Sequence, residues 1–481
     1  MNKLALTAII LTLTSVVSLA SCSKDEVTSR LPDNTSSDKQ LPELPQIGNI
    51  HKYKAPLYWS VYEYCYQLEE AGVPTSEMDI TPSEWDKIIE WVSENFLPYG
   101  YDMVCTDGFI PMNARDASGY MTHYGSTSLK ELVAKCKAKG LKVGVYDNPL
   151  WIHGNDATKI EGTDLTFGNL HYKGGTSVTH PSATDLWFSW VAVENPGARE
   201  YIDNFFKHYA DLDIHFIRMD FLSWFEDGND RGMGTVGKGY GRESYERALA
   251  YIAESAQKYD IFTSLVMPHL YNDAELEAKY GNMVRIVADT GKGGWSHCSS
   301  RDRGIVYPNW PNCNNMFDGF LYWSHISGKE KIILDGDFIR MNTFDSDDEK
   351  EFVVSLQLMA GAPIAIADQY TTIGDNAAFY QNEEILFLNK DSFVGRPLKD
   401  SLSDQNSQIW YGELSNHDIV VGFFNREETV QSKRLRLSDI DLSGEWKVRN
   451  LWTRQDEGIV SENLTYEIPP HGCKILRLSP K

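Results

Sequence analysis

Short apolar segments alternate with amphipathic helical patterns between about residues 55 and 390, and this alternation limits the possible fold more than any other feature. Eight segments have the apolar character of buried parallel strands. They lie at 55–62, 102–108, 142–149, 215–224, 261–268, 283–289, 332–338 and 363–369. Between them, helix starts can be recognised, such as the capping box at Thr81–Glu84. Eight strands connected through helices predict an α/β fold, a (β/α)8 TIM barrel.

The pattern changes beyond about residue 392. Short alternating segments separated by turn residues follow, among them 409–414, 419–424 and 473–478. This pattern is typical of antiparallel strands. We therefore expect a barrel over residues 51–391 and a small antiparallel β-sandwich over residues 392–481.

The N-terminus has the pattern of an export signal. Lys3 precedes an apolar run over residues 4–17, which is followed by Leu19-Ala20-Ser21-Cys22. A basic start, an apolar run and small residues are typical of a cleaved signal peptide. The final tetrad resembles the lipidation site of bacterial lipoproteins. We predict a lipoprotein signal peptide and lipidation of Cys22; a plain secretory signal followed by a chance cysteine is the alternative.

Cleavage at this site would divide the N-terminal region into a signal peptide at 1–21 and a tether at 22–50. The tether is rich in Ser, Asp and Pro, which favours a flexible segment. Asp25 and Glu26 resemble the surface-export signals of gut Bacteroidota lipoproteins. The predicted location is the cell envelope at the outer membrane, on its periplasmic or outer side, with the lipid as the only membrane contact.

Composition excludes some classes of partner and cofactor. A net charge of −23 argues against nucleic acid, which selects basic surfaces. The 13 Trp and 25 Tyr suit stacking on sugar rings, although core packing is the favoured explanation for them. No Cys or His spacing suggests zinc, and we predict no metal or cofactor. Cys298 and Cys313 are a candidate disulfide pair that spacing alone does not establish, and the oligomeric state is left open.

Two of the predicted strands end in a carboxylate that has an arginine close before it. Arg218 precedes Asp220, and Arg285 precedes Asp289. Charge beside an apolar core is costly unless it is paired or used, and barrels carry their active sites at the carboxyl ends of the strands. Hydrolysis of a glycosidic bond needs two carboxyl groups. We predict Asp220 as the nucleophile, with its pKa lowered by Arg218, and Asp289 as the acid/base.

Four motifs occur in order along the chain: YGYDMVCTDG at 99–108, KGLKVGVY at 139–146, IRMD at 217–220 and RIVAD at 285–289. Together they resemble G-Y-x-Y-x-x-I-D-D, K-G-L-K-x-G-I-Y, L-K-x-D and R-x-x-x-D of glycoside hydrolase family 27 and its clan D relatives, the α-galactosidase-like enzymes. This resemblance implies a retaining exo-hydrolase that removes a terminal α-linked sugar, an α-galactoside first, through a covalent glycosyl–Asp220 intermediate without a cofactor.

The chain departs from this family pattern at positions that contact the sugar. Gly108 replaces the second acid of a pair, Arg218 replaces a lysine, and Val266 or Met267 replaces a polar contact. Buried polar contacts to hydroxyl groups decide which sugar is accepted. A β-L-arabinopyranosidase or another α-glycosidase of the clan therefore remains an alternative to an α-galactosidase. A non-catalytic surface glycan-binding lipoprotein is the alternative of another class.

The residues predicted to bind an oligosaccharide or polysaccharide lie at or near the carboxyl ends of the strands. They are Tyr58, Trp59, Asp107, Tyr146, Asp147, Arg218, Trp224 and Arg285, with Trp151 and Trp295 as further candidates at the rim.

Overall fold

The computed structural model describes residues 41–50, 54–108, 110, 115–172, 189–231, 234–235, 239–300, 309–328 and 331–481. The predicted signal peptide and Cys22 lie outside these residues, so lipidation stays a prediction. Within the described ranges, no helix is both long enough and apolar enough to cross a membrane. The described part of the predicted tether, residues 41–50, contacts the barrel: Arg247 donates to the Pro42 carbonyl at 2.7 Å.

Eight parallel strands form the central sheet. They are β1 (Leu57–Ser60), β2 (Met103–Cys105), β3 (Lys142–Tyr146), β4 (Phe216–Met219), β5 (Phe262–Leu265), β6 (Met283–Arg285), β7 (Ile333–Asp335) and β8 (Ile364–Ile366). The strands pair in the order β7-β6-β5-β4-β3-β2-β1-β8, so β8 lies beside β1. This curved sheet confirms the predicted TIM barrel.

Helices connect the strands. They are α1 (Tyr62–Glu70), α2 (Pro82–Asn95), α3 (Leu129–Ala138), α4 (Ala198–Asp211), α5 (Leu222–Glu226), α6 (Arg242–Lys258), α7 (Tyr271–Tyr280), α8 (Trp295–Ser299), α9 (Met316–Trp323), α10 (Asp347–Met359) and α11 (Glu383–Lys390). The start of α2 is as predicted, because the Thr81 hydroxyl accepts the Glu84 N–H at 3.2 Å. Its buried stripe includes Trp85, Ile88 and Val92.

The alternation of β1 decides which aromatic side chain reaches the barrel interior. Tyr58 packs inside with Met103 and Phe216. Trp59 faces the helices, packs edge-on against Trp85 at 6.1 Å between ring centroids, and is fully buried. The expectation that Trp59 lines the sugar site therefore disagrees with its position, because successive residues of a strand face opposite sides.

The C-terminal part is the predicted antiparallel β-sandwich. Its strands are β9 (Arg396–Pro397), β10 (Ile409–Glu413), β11 (Ile419–Phe424), β12 (Gln431–Arg436), β13 (Trp446–Asn450), β14 (Gln455–Val460), β15 (Asn463–Ile468) and β16 (Cys473–Pro480). Six strands pair in the order β9-β10-β11-β16-β13-β14, and β12 pairs with β15. Arg426 joins this part to the barrel through an ion pair with Asp318 at 2.7 Å.

No disulfide joins the six cysteines of the described ranges, which are Cys65, Cys105, Cys136, Cys298, Cys313 and Cys473. The candidate pair Cys298 and Cys313 is therefore not bonded. Five of the thiols are buried and behave as small apolar side chains in the core.

Candidate active site

Asp220 lies directly after β4, at the carboxyl end of the barrel. One carboxylate oxygen accepts the Tyr146 hydroxyl at 2.8 Å, and the other accepts the Phe221 N–H at 2.7 Å. Phe221 has a φ of 63°, a strained value for a bulky residue that persists where the surroundings hold it. Asn148 donates to the Asp220 carbonyl at 2.7 Å. The nucleophile candidate is therefore fixed in orientation by two donors on its side chain and one on its backbone.

Burial is the main influence on the ionisation of Asp220. It raises the pKa of Asp220 to about 6, and the negative charge of Asp289 acts in the same direction. The Phe221 N–H, the Tyr146 hydroxyl and the Arg218 charge oppose this rise. The expectation that Arg218 holds this pKa low is wrong in its net direction, because desolvation outweighs the cation.

Arg218 instead takes part in a buried charge network with the last residue of β7 and a residue just beyond it. Its guanidinium contacts Asp335 Oδ2 and Asp337 Oδ1, each at 3.2 Å. Arg285 contacts the other oxygen of Asp337 at 2.8 Å. Although burial opposes ionisation, Arg285 and Arg218 hold the pKa of Asp337 below its usual value. This network fixes the two arginines beneath the pocket and keeps their charges paired.

Asp289 differs from Asp220 in its exposure. Its side chain is 80% exposed, and Arg285 donates to one of its oxygens at 2.8 Å. The neighbouring Thr290 N–H donates to Asp337 at 2.8 Å, which holds the start of the loop. The charge on Asp289 raises the pKa of Asp220, so the two carboxylates lie close enough to interact electrostatically. One partly buried, oriented carboxylate and one accessible carboxyl group suit a nucleophile and an acid/base.

Asp107 and Tyr62 form the part of the pocket that follows β1 and β2. Asp107 is buried, and the Tyr62 hydroxyl is hydrogen-bonded to its carboxylate. Tyr62 stacks on Phe338 with 3.9 Å between the ring centroids. Sequence reasoning chose Tyr58 and Trp59 instead of Tyr62. The signal that could have identified it was its position just beyond the end of β1, where barrels place functional side chains.

Gly108 makes room for the Tyr146 ring. A Cβ atom at position 108 would lie 2.8 Å from Tyr146 Cε1, closer than carbon atoms approach in proteins. Tyr146 is the residue that donates to Asp220. An acidic side chain at position 108 would therefore collide with the tyrosine that orients the nucleophile candidate.

The remaining candidate residues contact other protein side chains near the two carboxylates. Both oxygens of the buried Asp147 are engaged, by Arg115 at 3.0 and 3.1 Å and by the Tyr209 hydroxyl at 2.5 Å. Tyr58 lies beneath the pocket, with its hydroxyl 3.4 Å from Arg218 Nη1. Trp224 is nearly buried among apolar side chains. The geometry favours a structural role for all three. Of the two rim candidates, Trp151 packs on Phe221 at 6.0 Å, and Trp295 stacks on His471 of the sandwich.

Metal ligands are not grouped in this pocket. Across the described ranges, no three His, Cys, Asp or Glu side chains are arranged to hold a metal ion. The arginine charges are already used by Asp335, Asp337 and Asp289. The groups in this arrangement that can carry acid, base or nucleophilic chemistry are the carboxylates of Asp220 and Asp289.

The pH dependence of activity follows from the pKa of Asp220. A carboxylate attacks only when it is deprotonated, so kcat/KM is expected to fall about tenfold per pH unit below about pH 6, where Asp220 becomes protonated. Removing the Tyr146 hydroxyl with Tyr146→Phe removes a donor that favours the ionised form, so the acid limb moves to higher pH. A pH–rate profile of both proteins checks this, and an acid limb that does not move in the variant contradicts it.

Comparisons with known proteins show that the chain is similar to glycoside hydrolases. The family described as the alpha galactosidase C-terminal beta sandwich domain matches residues 404–478. An isomalto-dextranase of Arthrobacter globiformis is 37% identical over 443 residues, which cover 88% of this chain and 67% of that protein. An alpha-galactosidase of Oryza sativa subsp. japonica is 22% identical over 398 residues, 81% of this chain and 78% of that protein.

Solved structures of glycoside hydrolases also resemble this chain. The isomalto-dextranase of Arthrobacter globiformis complexed with panose superposes with a TM-score of 0.81 at 34% identity, over 92% of this chain and 76% of that one. A β-L-arabinopyranosidase from Geobacillus stearothermophilus superposes with a TM-score of 0.66 at 18% identity, over 89% and 98% of the two chains. The second likeness shows the shared fold alone.

Proposed function

The chain belongs to the α-galactosidase-like glycoside hydrolases of family 27, and from this membership we propose that it cleaves α-1,6-linked glucans of the dextran type and releases isomaltose. The support is its identity with an isomalto-dextranase over most of the chain, well above its identity with an alpha-galactosidase. Glycosidases among the relatives, together with the paired Asp220 and Asp289, favour an enzyme over a non-catalytic glycan-binding protein.

The observation that carries this choice of sugar is the geometry of Gly108. In the family pattern this position is an acid that binds galactose hydroxyl groups. Here a side chain at position 108 would collide with Tyr146, which orients Asp220. A site that lacks a polar partner for a hydroxyl group loses much of its preference for the sugar that carries it. An α-galactoside or a β-L-arabinopyranoside is the second candidate, supported by the more distant relatives.

The proposed reaction proceeds in two steps. Asp220 attacks the anomeric carbon while Asp289 donates a proton to the leaving oxygen, which gives a glycosyl ester on Asp220. Asp289 then removes a proton from water, and the water displaces Asp220 so that the anomeric configuration is retained. The exposure of Asp289 lets the leaving sugar and the water reach it, while the Tyr146 hydroxyl and the Phe221 N–H hold the nucleophile.

A substrate panel tests the proposed sugar. Wild-type protein is incubated with dextran, isomaltotriose, nitrophenyl α-galactoside and nitrophenyl β-L-arabinopyranoside, and the products are separated by chromatography. We expect isomaltose from dextran and little release of nitrophenol from the two nitrophenyl glycosides. Rapid cleavage of the galactoside with no product from dextran would reject the glucan assignment and support the second candidate.

Gly108→Asp tests the link between position 108 and Tyr146. The new side chain displaces the tyrosine ring, and a misplacement of about 1 Å costs roughly 100-fold in rate. We expect kcat/KM on the glucan to fall by about that factor without a gain of α-galactosidase activity. Tyr146→Phe, which removes the hydroxyl without a collision, is the matched variant. A Gly108→Asp protein that keeps the glucan rate and gains galactoside cleavage contradicts the argument.

We also propose that the enzyme is anchored to the outer membrane by a lipid on Cys22. The support is the sequence pattern over residues 1–22. Cys22→Ala is expected to move the protein from the membrane fraction to the soluble fraction and to abolish labelling with a radioactive fatty acid. An unlabelled wild-type protein would favour the plain secretory signal instead.

A further inference from the structure

His269 is a buried imidazole outside the catalytic pair, and it joins three loops at the carboxyl end of the barrel. It follows β5 and is 1% exposed. Its Nδ1 accepts the backbone N–H of Trp310 at 2.9 Å, and its Nε2 lies 2.9 Å from Asp227 Oδ1. Its own carbonyl accepts the Asn312 side chain at 2.7 Å. The segments after α5, β5 and α8 are therefore held together at one side chain.

These contacts fix the tautomer of the ring. A backbone N–H can only donate, so Nδ1 must carry no proton, and the single ring proton lies on Nε2 and points to Asp227. The second oxygen of Asp227 accepts the Tyr271 hydroxyl at 2.7 Å, and the Tyr271 ring stacks on His269. The imidazole therefore has a fixed orientation with a different partner at each nitrogen.

Trp310 transmits this orientation to the pocket. Its ring is 4% exposed and lies beside the Arg285 guanidinium, 5.7 Å from the ring centroid. Arg285 is the residue that donates to Asp289 at 2.8 Å. On its other side, Trp310 belongs to the apolar cluster that includes Phe221, the residue after the nucleophile candidate. Trp310 is therefore next to Arg285, which donates to Asp289, and in the same cluster as Phe221, whose N–H donates to Asp220.

The backbone around His269 is strained. Met267, Leu270 and Asn272 have φ values of 56°, 61° and 53°. Non-glycine residues in this left-handed region persist where the surroundings hold them. The strain on both sides of His269 agrees with a segment whose conformation is set by the contacts of this side chain.

We propose that His269 is a positioning residue for the acid/base: through the Trp310 backbone it holds the ring that supports Arg285, and so it sets the place of Asp289. This inference rests on the proposed role of Asp289. It predicts a dependence on the leaving group. Displacement of Asp289 lowers the rate for leaving groups that need a proton and has little effect on leaving groups that depart without one.

Two variants separate the contacts of the ring. His269→Asn keeps an acceptor near the Nδ1 position for the Trp310 N–H, and His269→Gln keeps a donor near the Nε2 position for Asp227. We expect His269→Gln to lower kcat/KM about 10- to 100-fold on an oligosaccharide, by analogy with the loss of other supporting contacts, and His269→Asn to lower it less than the Gln variant. With a dinitrophenyl glycoside of the same sugar, whose leaving group needs no proton, both variants stay within about threefold of wild type.

His215→Gln is the matched control. His215 also lies near an aspartate and a backbone carbonyl, with 3.4 Å to Asp213 and 2.9 Å to the Asp260 carbonyl, but it is at the opposite end of β4. It is expected to leave both rates unchanged. Trp310→Phe makes the supporting ring smaller and leaves His269 unchanged. It is expected to lower the rate on the oligosaccharide but not on the dinitrophenyl glycoside. This variant tests the proposal even if the His269 variants fold poorly.

The outcomes are distinguishable. A loss on the oligosaccharide that is absent on the dinitrophenyl glycoside, larger in the Gln than in the Asn variant, supports the inference. Equal losses on both substrates, as a smaller folded fraction would give, overturn it, and so does a Gln variant with the wild-type rate. A wild-type protein that cleaves neither substrate rejects the proposed function itself, and the inference with it.

Discussion

Replacing Asp220 with asparagine is expected to lower kcat by about 10⁴-fold or more on every substrate that the enzyme cleaves, because the amide cannot form the glycosyl ester. The amide side chain of this variant still offers an oxygen to the Phe221 N–H or the Tyr146 hydroxyl. Initial rates on the oligosaccharide and on an aryl glycoside of the same sugar measure the loss. A variant with a rate near that of wild type would remove Asp220 from the mechanism.

The same substitution is not expected to destabilise the fold. Burial raises the pKa of Asp220 to about 6, which means that the folded state disfavours the charged carboxylate. For a carboxyl group whose pKa is raised on folding, stability is lost as the pH rises past the unfolded pKa, and the neutral amide avoids this loss. The thermal midpoint of Asp220→Asn at pH 8 should therefore equal or exceed that of wild type. Asp102→Asn, at the opposite end of the barrel, is the control for activity.

Replacing Asp289 with asparagine is expected to have the second-largest effect, and the effect should depend on the leaving group. General acid–base catalysis contributes about 10²- to 10⁴-fold, so kcat/KM on an oligosaccharide should fall by that amount. On a dinitrophenyl glycoside the first step needs no proton, and the loss should be much smaller. Arg285 keeps its ion pair with Asp337 in this variant, so no buried cation is left without a partner.

Azide provides the control for the second step of the Asp289 variant. As an anion it can displace Asp220 from the glycosyl ester without a base, so it should restore turnover and give a glycosyl azide with the configuration of the substrate. The products are identified by mass spectrometry and NMR. Equal losses on both leaving groups, with no effect of azide, would argue that Asp289 is not the acid/base.

The barrel and the two strand-end carboxylates were predictable from sequence because they depend on local pattern. The apolar segments indicate the strands. Asp220 directly follows β4, and Asp289 lies in the loop that follows β6. The side of a strand that faces the interior is harder to assign. Tyr58 and Trp59 are adjacent aromatic residues, and the register that pairs Tyr58 with Met103 decides between them.

The partners of charged residues were less predictable, because they are distant in sequence. Arg218 lies two residues before Asp220, which favoured a direct pair, but two aspartates at and just beyond the end of β7 bind it instead. Asp147 is paired with Arg115 from another loop, which nothing in its own segment indicates. The choice between sugars depends on Gly108, whose importance is visible only when the Tyr146 ring is seen beside it.

The most direct test of the account is the anomeric form of the first product. Dextran is mixed with wild-type protein in an NMR tube, and the proton signals of the released isomaltose are followed before mutarotation equilibrates them. The account predicts that the α-anomer appears first, because displacement by Asp220 and then by water retains the configuration. Initial release of the β-anomer would contradict a glycosyl–Asp220 intermediate, and the absence of isomaltose would contradict the proposed substrate.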